Sequence, residues 1–336
     1  MAPRRGGRSV LLVLAVVACA LGCASAASAQ NAHVAVIVGI PGDPEYRELY
    51  GKWAGALVDA ATGPFGLPRQ QVQYLTDRPD DDSARATGRS TREGVLEAFG
   101  KLSAAGVDDL VLVVLIGHGT FDGKVAKFNL PGPDMTAADF DPLLDRLASR
   151  RIVFVNTSSA SGPFIEVLGG PGRTIVTATR TGGEQFATIF GGYFVDALTS
   201  DVADADKNGR VSVLEAFEYA RREVEVAYKR QGILLTEHAL LDDAGDRKGK
   251  GEPAADTKQG RVAGLLTLGS LGGAAAVPED PALRALHEER RALERRVESL
   301  RLMKDGMDPQ RYARDLEEAL TALALKSRQL REAGAK

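Results

Sequence analysis

The chain has 336 residues, 44% apolar and 26% charged, with 42 Lys and Arg against 45 Asp and Glu for a formal charge of −3. That balance belongs to an ordinary folded protein and excludes collagen-like, disordered and nucleic-acid-coating chains. The length fits one large domain, or one domain with an appendage, with a sizeable core.

The first recognisable segment is not part of the fold. Arg4, Arg5 and Arg8 precede an apolar run over 10–21, and Ala27-Ser28-Ala29 supplies a small-x-small cleavage pattern. Residues 1–29 are therefore expected to be a signal peptide, its apolar run too short for a permanent membrane span. Its removal shifts the formal charge to −6 and takes away Cys19 and Cys23, the only two cysteines. The exported protein, periplasmic or secreted, then has no disulfide, thiolate metal site or cysteine nucleophile. A competing reading makes Cys23, preceded by Gly22, the lipidated N-terminus of a lipoprotein. Against it, Ala20 and Leu21 reverse the usual lipobox order, and no second anchoring signal is visible.

From His33 onward, short apolar runs alternate with helical patterns, which predicts an α/β fold with a mostly parallel sheet and helices on both faces. A buried strand over 33–40 leads to a helix over 46–61 and a strand over 72–76. A polar loop over 78–88 follows. Ser90 and Glu93 then have the spacing of a capping box opening a helix that runs to about residue 105. The run 110–117 is apolar on both faces and must be central. A helix over 136–149 and strands over 151–157 and 173–179 follow, then helices over 191–200 and 212–230. A charged segment with Gly and Pro, 248–259, reads as a linker before a last apolar stretch, 261–271. The body is expected over 31–272. Beyond Pro278, dense charges of both signs flank Leu286, Leu293, Val297, Leu300, Leu316, Leu320 and Leu323 at helical spacing, with a break at 304–309. This predicts a C-terminal helical hairpin or coiled coil over 278–336, packed on the body or on a second copy.

Sites in open parallel sheets form beyond the carboxyl ends of the strands. The central strand ends in Gly117-His118-Gly119, and the next ends in Thr157-Ser158-Ser159-Ala160-Ser161-Gly162. Of four histidines, His33, His118, His238 and His287, only His118 falls at such an end. The Ser/Gly run leads into a helical pattern at 163–168, and its N–H groups are candidates to face an anion. Together these residues make a hydroxyl–imidazole pair short of a defined triad.

This order of motifs resembles the caspase/legumain-like peptidases of clan CD over about residues 32–245, most of the exported chain. His118-Gly119 matches the family's His-Gly pair. The segment 158–162 matches its Ala-Cys-x-Ser-Gly motif and places Ser159 where the catalytic cysteine stands. The resemblance implies His118, Ser159 and Gly119 as the catalytic positions, with oxyanion donors near Gly119 and Ser159. It also implies Arg180 and Glu184 as lining a substrate pocket. The missing thiol separates fold from activity: a serine hydroxyl needs a bound and oriented base, whereas the family's His–Cys pair is loose. The resemblance therefore implies a pseudopeptidase acting as a binding or scaffold module, with a peptide or protein in its cleft. The alternatives are an active peptidase using a Ser159/His118 dyad and a calcium-stabilised structural module.

A second motif lies within the body. Asp204, Asp206 and Asn208 stand at positions 1, 3 and 5 of an EF-hand loop spanning 204–215. Gly209 is at the sharp turn, the Arg210 carbonyl at position 7, Ser212 at 9 and Glu215 at 12. One bound Ca²⁺ of the weak extracellular kind is expected, and no organic cofactor. The same Ser212 and Glu215 also have capping-box spacing, so a plain capped turn stays open. Arg290-Arg291 and Arg295-Arg296 alternate with Glu and lack interleaved aromatics, which argues against nucleic-acid binding.

Overall fold

The computed structural model describes residues 31–269 and 280–334. The expected signal peptide, with Cys19 and Cys23, lies outside the described residues. Strand β1 (Ala32–Val38) runs into a turn closed by Asp43. The Asp43 carboxylate accepts from the N–H groups of Glu45 and Tyr46, and Pro44 occupies the first turn, so helix α1 (Pro44–Thr62) starts at once. Then come β2 (Val72–Thr76), β3 (Gly88–Arg89), α2 (Arg92–Leu102) and β4 (Leu110–Ile116). Three short strands follow: β5 (Gly119–Phe121), β6 (Ala126–Phe128) and β7 (Met135–Thr136). Next are α3 (Ala137–Asp145), β8 (Arg151–Asn156), α4 (Phe164–Leu168), β9 (Arg173–Thr177), α5 (Phe190–Thr199), α6 (Val213–Gln231) and β10 (Leu240–Asp242). The C-terminal hairpin is α7 (Pro281–Leu302) and α8 (Pro309–Gly334).

The main sheet has seven strands in the order β10-β9-β8-β4-β1-β2-β3, parallel throughout except where β10 runs antiparallel to β9. All seven residues of β4 are buried between β1 and β8, as its unbroken apolar run requires. Alternation along the strands feeds two cores. Val34, Val36, Leu112 and Val114 pack with Leu57 of α1, Phe194 of α5 and Phe217 of α6. Ala35, Ile37, Val113 and Leu115 pack on the opposite face with Phe99 of α2, Phe140 of α3 and Phe164 of α4. The fold is thus α/β with helices on both faces, as the alternation of runs predicts.

Three local expectations are corrected. Helix α2 is capped by Thr91, which accepts from Gly94 N, while Ser90 is still extended because its N–H donates to Thr76 O at 2.9 Å. The helix expected over 136–149 ends at Asp145. The segment 248–259 is not a loose linker: Lys250 and Leu241 exchange backbone hydrogen bonds at 2.8 and 2.9 Å, and Gln259 is buried. The Gln259 amide accepts from Asp243 N and Ala244 N and donates to Asp242, Asp246 and the Lys248 carbonyl. An amide nitrogen thus sits between the carboxylates of Asp242 and Asp246.

Helices α7 and α8 pack on each other through Val297, Leu300 and Ala319, with Leu316 and Leu323 beside them. Leu320, expected in that seam, is 39% exposed. Glu294 of α7 pairs with Arg210 at 2.8 Å, and Lys304 donates to the Asp256 carbonyl at 3.2 Å. Among the described residues no helix is long and apolar enough to cross a membrane.

Candidate functional site

The carboxyl ends of β1, β4, β8 and β9 converge on one edge of the sheet. His118, half-buried, follows β4 directly. Its Nε2 lies 3.0 Å from the Pro41 carbonyl on the turn after β1, so the ring can donate there. Tyr46 and Tyr50, one turn apart on α1, hold the imidazole on edge, with ring centroids 4.7 and 5.4 Å away. The Tyr50 hydroxyl is 3.4 Å from both ring nitrogens, and burial raises its pKa well above the ordinary phenol value, so it remains a neutral group.

The serine-rich turn after β8 is pinned at every hydroxyl. Ser158 donates to Asn156 Oδ1 at 2.7 Å, and Ser161 shares a 3.1 Å hydrogen bond with the Thr179 hydroxyl. Ser159, 2% exposed, donates to Gly119 O at 3.0 Å and accepts from Gly119 N at 3.1 Å. The structure therefore brings His118 and Ser159 to one edge through Gly119, the neighbour of one and the hydrogen-bond partner of the other. Among the described residues no hydrogen bond joins the imidazole to the Ser159 hydroxyl. The N–H groups of Gly119, Thr157, Ser158, Ala160 and Gly162 already donate within the protein. Ala160 itself sits in the left-handed region at φ 54°.

The loop after β9 buttresses that turn. Glu184 O accepts from Ala160 N at 2.8 Å. Its carboxylate accepts from Arg180 N and His238 N and lies 2.8 Å from His238 Nδ1. Arg180 and Glu184 accordingly part company: Arg180 lines a cavity of about 360 Å³ beside β9, whereas Glu184 is folded onto His238 and does not line it. Beside His238, buried Glu237 accepts from the N–H groups of Ile189 and Phe190 at the start of α5. Its burial pushes the carboxyl pKa up to about 7, against the pull of those N–H groups.

In the acidic loop, Asp204, Asp206 and Glu215 each offer a carboxylate oxygen, all within 4.8 Å of one another, an arrangement that could hold a metal ion. Gly209 makes the turn at φ 81°, and Asp204 accepts from the N–H groups of Asn208 and Gly209. Asn208 Oδ1 accepts from Arg210 N. Ser212 and Glu215 do form the capping box. One Glu215 oxygen closes the capping box at the start of α6, while the other accepts from Ala205 N across the loop at 3.1 Å. An all-oxygen donor set suits a hard divalent cation.

Pro41, Tyr46, Tyr50, Glu237 and His238 are site residues that sequence reasoning missed. The signal available for the first was Pro41-Gly42 directly after a strand; nothing in the spacing singled out the others. Compared with protein-family models and with curated proteins, the chain finds no match.

Proposed function

We propose that this chain is an exported caspase/legumain-like module that binds a peptide or protein segment at the strand-end cleft without cleaving it. The observation that carries this reading is the state of Ser159. Its hydroxyl is buried and engaged, as donor and acceptor, by the backbone of Gly119. His118 is directed instead to Pro41 O and the Tyr50 hydroxyl. An activated serine needs its base hydrogen-bonded to it, with a third group orienting the base, and an oxyanion hole needs unengaged donors. Here Gly119 N, a donor by resemblance, is occupied by Ser159 itself. A protein partner, or a second copy of the chain, is proposed to meet the C-terminal hairpin, where Leu320 and Leu325 of α8 are exposed.

The testing experiment offers a broad peptide library to the purified protein with calcium, beside Ser159→Ala and Ser159→Cys. The parent and Ser159→Ala should be equally inert, with any cleavage confined to Ser159→Cys. Turnover by the parent that vanishes in both Ser159→Ala and His118→Ala would establish a serine peptidase instead.

The ion proposed for the loop 204–215 is Ca²⁺, held by Asp204, Asp206, Asn208, the Arg210 carbonyl, Ser212 and Glu215. A cation that binds only the native state raises stability by about 2.7 kcal/mol at a hundred times its Kd. The melting temperature should therefore climb with millimolar calcium and stay flat in an Asp204→Ala, Glu215→Gln double variant. Identical melts of the parent in calcium and in chelator would leave the loop as a capped turn.

A further inference from the structure

The cavity beside β9 adjoins the loop that buttresses the serine turn, but it lies apart from the turn itself. Its floor is apolar: Phe190 at the start of α5, Val224 on α6, and Leu235 and Ala239 on the segment leading to β10. None of His118, Gly119 or Ser158 to Ser161 lines it. Two cations stand in its wall, Arg180 and Lys250, and among the described residues neither side chain makes an ion pair or hydrogen bond. Both are anchored at the backbone. Arg180 N donates to Glu184, and Lys250 is held in its two-bond bridge to Leu241. A third cation, Arg221, is paired with Glu225 at 2.7 Å and Glu252 at 3.9 Å, yet its Nε is buried with no partner.

We infer that this cavity is a binding site for a small carboxylate carried on an apolar tail, its headgroup held by Arg180 and Lys250 and its tail laid on Phe190, Val224 and Leu235. The volume falls within the range of small-ligand pockets, and an apolar floor under charged walls suits an amphiphilic ligand. Guanidinium and ammonium donors form their strongest hydrogen bonds with carboxylates and phosphates. Glu225 and Glu252 on the same wall favour a monoanion over a dianionic phosphate. Glu237, the remaining acid of the lining, holds its proton up to about pH 7 and opposes an incoming carboxylate little below that. The inference shares Arg180 with the substrate pocket that the resemblance implies, but it uses neither His118 nor Ser159, and its test reads binding rather than cleavage.

The test is titration calorimetry of the purified protein with octanoate, octanamide and N-acetyl-leucyl-leucine at neutral pH. Octanoate should bind at least roughly tenfold tighter than octanamide, the worth of one charge-assisted hydrogen bond. An Arg180→Ala, Lys250→Ala double variant should bind octanoate no better than octanamide. Both side chains are exposed, so its melt without ligand should match the parent's and rule out misfolding. The peptide arm distinguishes the sources: tighter binding of N-acetyl-leucyl-leucine assigns the site to a peptide C-terminus, and tighter octanoate to a free lipid acid. Equal binding of octanoate and octanamide, an unaffected double variant, or no heat from either carboxylate up to about 10 mM would overturn the inference.

Discussion

Replacing Gly119 with alanine should lower the unfolding free energy by about 3 kcal/mol or more, a large effect for one added methyl. A Cβ at this position would lie 2.2 Å from Ser159 O, 2.8 Å from Ser158 Oγ and 3.0 Å from Lys127 O. The two carbonyls are backbone and cannot swing aside. Ser159 is locked to Gly119 by two hydrogen bonds, and Lys127 belongs to β6, paired with β5. The methyl must therefore part β5 from the serine turn. Gly51→Ala is the matching control, because Gly51 lies in α1 with nothing within 4 Å of an added Cβ. It should stabilise by about 0.5–1 kcal/mol through helix propensity. Urea denaturation of both variants checks the pair, and equal small effects would mean that the contact at Gly119 is not as close as described.

Glu237→Gln should have a comparable effect of opposite sign, visible only on the alkaline side. The folded carboxyl titrates near pH 7, against an ordinary value of 4.5, because burial penalises its charged form. Below pH 4.5 both folded and unfolded states hold the proton, and the group costs nothing. Between pH 4.5 and 7 the unfolded chain ionises first, so stability falls as pH rises. Above pH 7 the penalty is complete, at about 3 kcal/mol from the size of the shift. Glutamine removes the charge while its carbonyl can still accept from Ile189 N and Phe190 N. The variant should gain close to that amount at pH 8 and little at pH 4.5. A gain that does not depend on pH would show that the carboxyl ionises normally in the folded protein.

Much of the architecture was legible because burial on both faces leaves a plain mark. The run that became β4 and residues 152–155 in the middle of β8 are apolar without interruption, and no surface element could carry them. The EF-hand spacing was equally plain, since seven positions in twelve must supply oxygen or a turn. Position 90 against 91 was not, because Ser90, the better cap by type and spacing, is held in the strand by its bond to Thr76 O. The segment 248–259 looked loose by composition, but the buried amide of Gln259, far along the chain from the carboxylates it meets, ties it down. The small β5–β7 sheet is built from two- and three-residue strands, too short to show a period. For the site, the motif order put His118 and Ser159 on one edge. Which partner each would take was invisible, because Pro41, Tyr46 and Tyr50 reach the imidazole from across the sheet edge.

On the proposed reading, the Ser159 hydroxyl is committed to Gly119 and does not act as a nucleophile. The direct measurement is the intact mass of the purified protein, with calcium present, after incubation with excess fluorophosphonate, a reagent that adds to activated serines. The expected result is an unchanged mass for the parent and for His118→Ala alike. A single adduct on the parent, mapped to Ser159 and lost in His118→Ala, would contradict it.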